Sequence, residues 1–274
     1  MLNNFVNLLD NTKKPTAAKL FTDRQEPQEA FERKFRAFYK DWHNSSCVLC
    51  YYGIGGIGKT SFINKLCRVI RGVEGNNCCI LNKIDCNYIR YDFGAENVSN
   101  DKLHILLSWR KQLGELDKNF KFYYFDSALL LYCKKTGTNI EKDETTQSLL
   151  EENKWLSLAI DGIGFLPVIG WTSDVIKILD QTAHTISDSI KQLLDRKQYQ
   201  YHLNEINGLE PSELLAELHK YFCKDMQLNM HHIAQKPIII FLDTYEKYID
   251  TLNDEKTMIT TDYWLRKGTI PVIK

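Results

Sequence analysis

Apolar residues recur at three- and four-residue spacings over several long stretches of this chain, the period of a helix that buries one face. Ala30, Phe31, Phe35, Phe38 and Tyr39 form one such stripe, introduced by residues 21–27. Phe62, Leu66, Val69 and Ile70 form a second over residues 61–71, and Leu103, Leu106, Leu107, Leu113 and Leu116 a third over 100–116. A longer helix is predicted over 172–197, with Val175, Leu179, Ala183, Ile186, Ile190 and Leu193 inward. Another starts at Pro211, a residue suited to a first helical turn, and turns Leu214, Leu218, Tyr221 and Phe222 inward. Residues 120–131 mix aromatic and aliphatic side chains and read as a buried strand or a loop feeding a helix.

Continuous apolar runs predict strands instead. One begins at Cys47, just ahead of a glycine-rich turn, and residues 78–86 supply the next. After Pro237, the run Ile238-Ile239-Ile240-Phe241-Leu242 predicts a central strand buried on both faces. Strands alternating with helices in this order imply an α/β fold with a parallel, doubly wound sheet. Residues 1–20 are weakly patterned and read as a mobile lead-in, 72–77 as a turn, and 137–150 as a polar surface loop. Residues 156–170 are apolar but fall short of the roughly 20 residues a bilayer span needs, and Asp161 and Pro167 interrupt them. A buried or interfacial helical turn is expected there.

Composition narrows the classes. With 274 residues, 43% of them hydrophobic, the chain has material for one large core or two modest ones. Lys+Arg and Asp+Glu both number 35, so the net charge is zero and the bulk pull on nucleic acid of a basic domain is absent. The eight cysteines follow no disulfide-framework or zinc spacing. Cys47 and Cys50 form a C-x-x-C, but within a strand they would point to opposite faces. The N-terminus lacks the basic start and long apolar core of a signal peptide, so a cytoplasmic location is expected. His231 and His232 are adjacent and cannot converge on one metal from a helix.

The candidate chemistry sits in two places. Gly53-Ile54-Gly55-Gly56-Ile57-Gly58-Lys59-Thr60 fits the phosphate-binding pattern G-x-x-x-x-G-K-[ST]. Glycines there let backbone N–H groups turn inward around a phosphate through φ values that a Cβ forbids. The helix that follows aims its N–H groups and positive dipole end at the same anion. In this pattern Lys59 reaches the β/γ-phosphates, and the Thr60 hydroxyl holds Mg²⁺. The second place is the end of the late apolar run, where Asp243 stands at the carboxyl end of its strand, the position where open α/β sheets bind ligands. Asp243 is then the Walker B aspartate, a Mg²⁺ ligand through water, and Glu246 the acid that orients and deprotonates the attacking water. Thr244 occupies the place where many such enzymes carry a second acid.

At these residues the chain resembles the STAND class of signal-transduction NTPases, relatives of the NB-ARC switches and, more distantly, of the origin-recognition AAA+ group. GIGGIGKT has the class's G-x-G-G-x-G-K-T form, FLDTYE resembles its D-T-[FY]-E Walker B, and FTDRQEP resembles the motif that precedes its phosphate loop. The resemblance covers roughly residues 20–250. It implies a P-loop NTPase domain over 21–274 that binds ATP/ADP and Mg²⁺. It carries nucleotide contacts onto residues 53–60, Ser61 and Arg24, the last beside the adenine. It also implies slow hydrolysis, self-association, and effector or sensor partners in signalling or defence. A nucleotide-dependent interaction module without turnover and an AAA+-like nucleic-acid loader are the other readings; the neutral charge disfavours the loader. The long interval between Lys59 and Asp243 is expected to hold a helical insertion over about 127–230. Residues 270–273 read as a core strand just beginning, so an N-terminal fragment or a shortened product is expected.

Overall fold

The computed structural model describes residues 25–43, 45, 47–52, 56–72, 86–96, 101–137, 196–250 and 264–265. Residues 1–20, Arg24, Gly53, Ile54, Gly55, residues 78–85 and 138–150, the apolar run 156–170, the 172–197 helix up to residue 195, and residues 270–273 lie outside them. The chain divides into two compact units: Met1–Lys40 with Leu49–Ile84, and Asp41–Val48 with Asp85–Lys274.

In the first unit, α1 (Gln25–Tyr39) buries Phe31 and Phe35, whose rings stack with centroids 5.9 Å apart. α2 (Lys59–Ile70) buries Phe62, Leu66, Cys67 and Val69. α2 follows its sequence stripe apart from half-buried Ile70, whereas in α1 Ala30 and Phe38 are only half-buried and Tyr39, at the last turn where the stripe runs out of covering neighbours, is exposed. Residues 47–52, of which Cys47 and Val48 belong to the second unit, are expected to begin as a buried strand and are not one: Cys47 and Cys50 are exposed, Val48 is 64% exposed and Tyr52 94%. A strand exists only where a neighbour completes its hydrogen-bond ladder, and among the described residues none lies alongside. Apolar composition alone does not supply that partner.

In the second unit, β1 (Asn87–Asp92) and β2 (Ile238–Asp243) pair in parallel, Asn87 opposite Ile238 through to Asp92 opposite Asp243. They are the described part of the sheet. β1 starts one residue beyond the apolar run expected to carry this strand. β2 is half-buried at Ile238, Ile239 and Ile240 rather than covered on both faces, having β1 as its described neighbour.

The core is helical. α3 (Lys102–Leu116) begins at Asp101, whose carboxylate accepts the His104 N–H at 3.0 Å, the usual N-cap bond. α4 (Tyr123–Thr136) occupies the segment expected as strand or loop. It is buried continuously from Tyr123 to Leu131, and a helix covered on every side shows no stripe in its sequence. α5 (Arg196–Gly208) contributes Leu203 and Ile206, and α6 (Pro211–His232) contributes Leu214, Leu218, Phe222 and Met226. Among the described residues of 127–230 all regular structure is helical.

Polar side chains on α6 fix where α4 begins. The Asp225 carboxylate accepts the Tyr124 and Phe125 N–H groups at 3.2 and 2.8 Å, capping the helix from a neighbouring element. One turn later Asn229 accepts the Lys121 N–H at 3.0 Å and donates to the Lys121 carbonyl at 2.7 Å. α7 (Tyr245–Asp250) follows β2 after Thr244, and Tyr248, Trp264 and Leu265 join the core.

Candidate functional site

The described part of the glycine loop has the backbone its sequence calls for. Gly56 and Gly58 stand at φ 78° and 87°, in the left-handed region that L side chains avoid. Among the described residues beyond its chain neighbours, no atom lies within 4 Å of where a Gly56 Cβ would stand, and its positive φ is what calls for glycine there. Gly58 is the N-cap of α2 and has no side chain with which to cap it; Lys59, Thr60 and Ser61 form the first turn, which carries no acid. Left-handed turns of this kind gather successive N–H groups into a concavity that suits an anion, and the dipole of the helix adds to it. Phe62 N–H closes the first turn on the Gly58 carbonyl at 3.0 Å.

The segment entering the loop is anchored by one side chain. Tyr51 donates its hydroxyl to the Pro27 carbonyl of α1 at 2.8 Å and sets its ring edge-on to Phe62, with centroids 4.9 Å apart. Burial pushes its hydroxyl up to about 12, so it remains a donor at any physiological pH. Through this tyrosine α1, the loop entry and the first turn of α2 share one contact.

The second unit places the other sequence-marked residues at the carboxyl ends of the parallel strands. Asp243 is 3% exposed, and its Oδ1 accepts the Thr244 N–H at 3.0 Å. Its Oδ2 accepts from Arg90 Nη2 at 2.5 Å. The same Nη2 lies 3.6 Å from Asp92 Oδ2. Asp92 is opposite Asp243 in the register; its Oδ1 accepts the Thr244 hydroxyl at 2.8 Å and the Gly94 N–H at 2.9 Å. Glu246 is exposed in the first turn of α7.

Sequence reasoning missed Arg90, Asp92 and Gly94. A charged pair inside Asn-Tyr-Ile-Arg-Tyr-Asp reads as surface, and only the register of a second strand shows that Arg90 meets Asp243 and that Asp92 stands opposite it. The weak signal available was an acid closing the first strand after the glycine loop.

Thr244 adopts φ 56°, unusual for a β-branched residue, and is held there by its two bonds to the aspartates. Gly94 makes room for it: a Cβ on Gly94 would stand 2.8 Å from Thr244 Cγ2 and 3.1 Å from its Cβ. Gly94→Ala is therefore expected to destabilise the fold by about 1–3 kcal/mol, the usual cost of overpacking. Thr244→Gly removes both the clash and the left-handed strain. The double variant should lose less than the two single losses added together, as chemical denaturation of all four proteins will show.

Hard carboxylate oxygens suit Mg²⁺, which usually takes one or two of them and completes its shell with water and phosphate oxygens. Asp243 and Asp92 fit that demand, and Arg90 already supplies one positive charge between them. Among the described residues no group of three or more His, Cys, Asp or Glu side chains stands ready to hold a metal, and no described helix is long and apolar enough to cross a membrane. Comparison with protein-family models, with characterised proteins and with solved structures finds no match to this chain.

Proposed function

We propose that this chain is the nucleotide-binding domain of a STAND-like regulatory NTPase, taking ATP or ADP with Mg²⁺, within a P-loop α/β fold that carries a large helical insertion over about 127–230. The observation that carries the reading is the backbone at Gly56 and Gly58, left-handed at both positions and leading into a helix that opens with Lys59 and Thr60. That combination is what an anion-gathering turn requires, and it falls on the residues that the phosphate pattern marks. Lys59 binds the β/γ-phosphates in this reading, the Thr60 hydroxyl serves the metal, and the N–H groups of residues 53–61 line the phosphates. Arg24, immediately before α1, keeps its place beside the base on resemblance. When bound, Mg²⁺ neutralises charge on the transferred phosphoryl group. Asp243 is its carboxylate ligand, and Glu246 activates water.

Lys59→Ala is the direct test. It removes charge-assisted hydrogen bonds worth about 1.5–3 kcal/mol each, so calorimetric titration should show ATP affinity at least tenfold weaker. Equal affinities for the two proteins would defeat the proposal.

A second reading, a nucleotide-dependent interaction module with little turnover, is favoured by one observation: Arg90 already occupies a carboxylate oxygen of Asp243. Both readings place the protein in the cytoplasm and give it self-association or effector and sensor domains as partners. Neither needs nucleic acid.

A further inference from the structure

Arg90 is unusual in where its charge is spent. It projects from β1 between two aspartates that the parallel register sets side by side, 2.5 Å from one and 3.6 Å from the other. Asp243 is almost wholly buried, whereas the Arg90 side chain is 27% exposed and has solvent to move into. The backbone at this point is fixed by other means. The Arg90 N–H donates to Gln112 Oε1 on α3 at 3.0 Å, the strand ladder runs on either side, and Thr244 ties Asp92 to the end of β2. The guanidinium can therefore leave Asp243 for Asp92 without unmaking the sheet.

The geometry points to Arg90 as a resident competitor for the divalent cation at Asp243. This rests on the reading of Asp243 as the Mg²⁺ carboxylate. A guanidinium in contact with Asp243 Oδ2 and a dication on the same carboxylate repel one another over a few ångströms in a partly dry site. The protein then has two arrangements. In one, Arg90 neutralises Asp243 and cation affinity is low; in the other, Arg90 turns to Asp92 or solvent and yields Asp243 Oδ2 to the metal. Arg90 sets how much cation the site requires and leaves phosphate binding to the glycine loop.

The probe is Mn²⁺, followed by electron paramagnetic resonance in the full chain without nucleotide. Arg90→Gln is expected to bind Mn²⁺ at least tenfold more tightly than the unaltered chain. Arg90→Lys, which keeps the charge, should stay near the original affinity, and Arg90→Gln/Asp243→Asn should lose the gain. If Asp243→Asn weakens binding but Arg90→Gln leaves it unchanged or weaker, Arg90 is only a structural partner and the inference is overturned. If no variant shows Asp243-dependent Mn²⁺ binding, the metal reading of Asp243 fails, and the inference goes with it. Should Arg90→Gln fail to fold, the Arg90 Nε–H resonance of the unaltered chain, assigned by its loss in Arg90→Lys, is expected to move on adding Mg²⁺. A resonance that stays in place overturns the competition.

Discussion

Arg110→Met is expected to destabilise the chain by about 3–5 kcal/mol at neutral pH, the usual cost of stripping one partner from a buried ion pair. Arg110 and Asp126 are both buried, and the guanidinium holds both carboxylate oxygens, Nε at 2.7 Å and Nη2 at 2.8 Å. The Arg110 guanidinium also lies 5.5 Å from the centre of the Phe122 ring. Methionine keeps much of the volume but takes from the buried Asp126 carboxylate the guanidinium that holds both its oxygens. Arg110→Met/Asp126→Leu should recover most of the loss, because removing both charges also removes their desolvation.

The pH dependence gives this prediction a second readout. Burial raises the Asp225 carboxyl well above its ordinary 3.8, Asp126 adds to the rise, and Arg110 opposes it. For a carboxyl raised in the fold, stability is fullest below the ordinary value and declines as pH climbs toward the folded one. Without Arg110 that decline steepens, so the penalty of Arg110→Met should shrink as pH falls toward about 4. Burial holds His202 and His219 down at about 4, against the ordinary 6.5. Their effect has the opposite sign: stability is fully present above about 6.5 and is lost as pH falls from there to about 4. Both histidines are common to the two proteins, so their effect cancels from the difference. Urea denaturation at several pH values measures it; a penalty independent of pH would show that the Asp225 carboxyl does not titrate with folding.

Glu246→Gln carries the largest expected effect on activity. On the proposed function, turnover of ATP should fall by roughly 10²–10⁴, the usual worth of a positioned general base, while nucleotide affinity stays nearly unchanged. Glutamine preserves size and hydrogen bonding but cannot take the proton from water. Asp243→Asn should differ by weakening the Mg²⁺-dependent part of binding as well. Phosphate release by the purified chain should be well below the median enzyme rate of about 10 per second even unaltered. Fast release that Glu246→Gln leaves untouched would place the base elsewhere.

Helices packed on one face were legible in the sequence. The stripe of α6 names four side chains that are buried, and those of α1, α2 and α3 name part of theirs, because a one-sided helix writes its period into its residues; Tyr39 and Leu116, expected inward, are exposed, and Ile105 and Trp109 are buried outside the stripe. α4 was not legible for the opposite reason: with solvent on no side, every position from Tyr123 to Leu131 is buried and the period vanishes. Residues 47–52 are not a strand, and among the described residues no neighbour pairs with them; pairing depends on a partner elsewhere, which composition does not reveal. Gly56, Gly58 and Lys59 could be read from a local motif, since their role lies in the backbone of a few residues. Arg90, Asp92, Arg110 and Asp225 could not, because each matters through a contact with another element of the fold.

The pairing of β1 with β2 also has a history during synthesis. β1 leaves the ribosome long before β2, with the whole of α3 to α6 between them. At the usual 5–20 residues per second, that interval lasts on the order of 10 s. Throughout it the edge of β1 is a template without its partner, the condition under which nascent chains pair with one another. Arg90 and Asp92, set within a strand otherwise rich in tyrosine and isoleucine, put charge on that waiting edge. Before β2 arrives to claim them, these two side chains would serve as gatekeepers against association between growing chains.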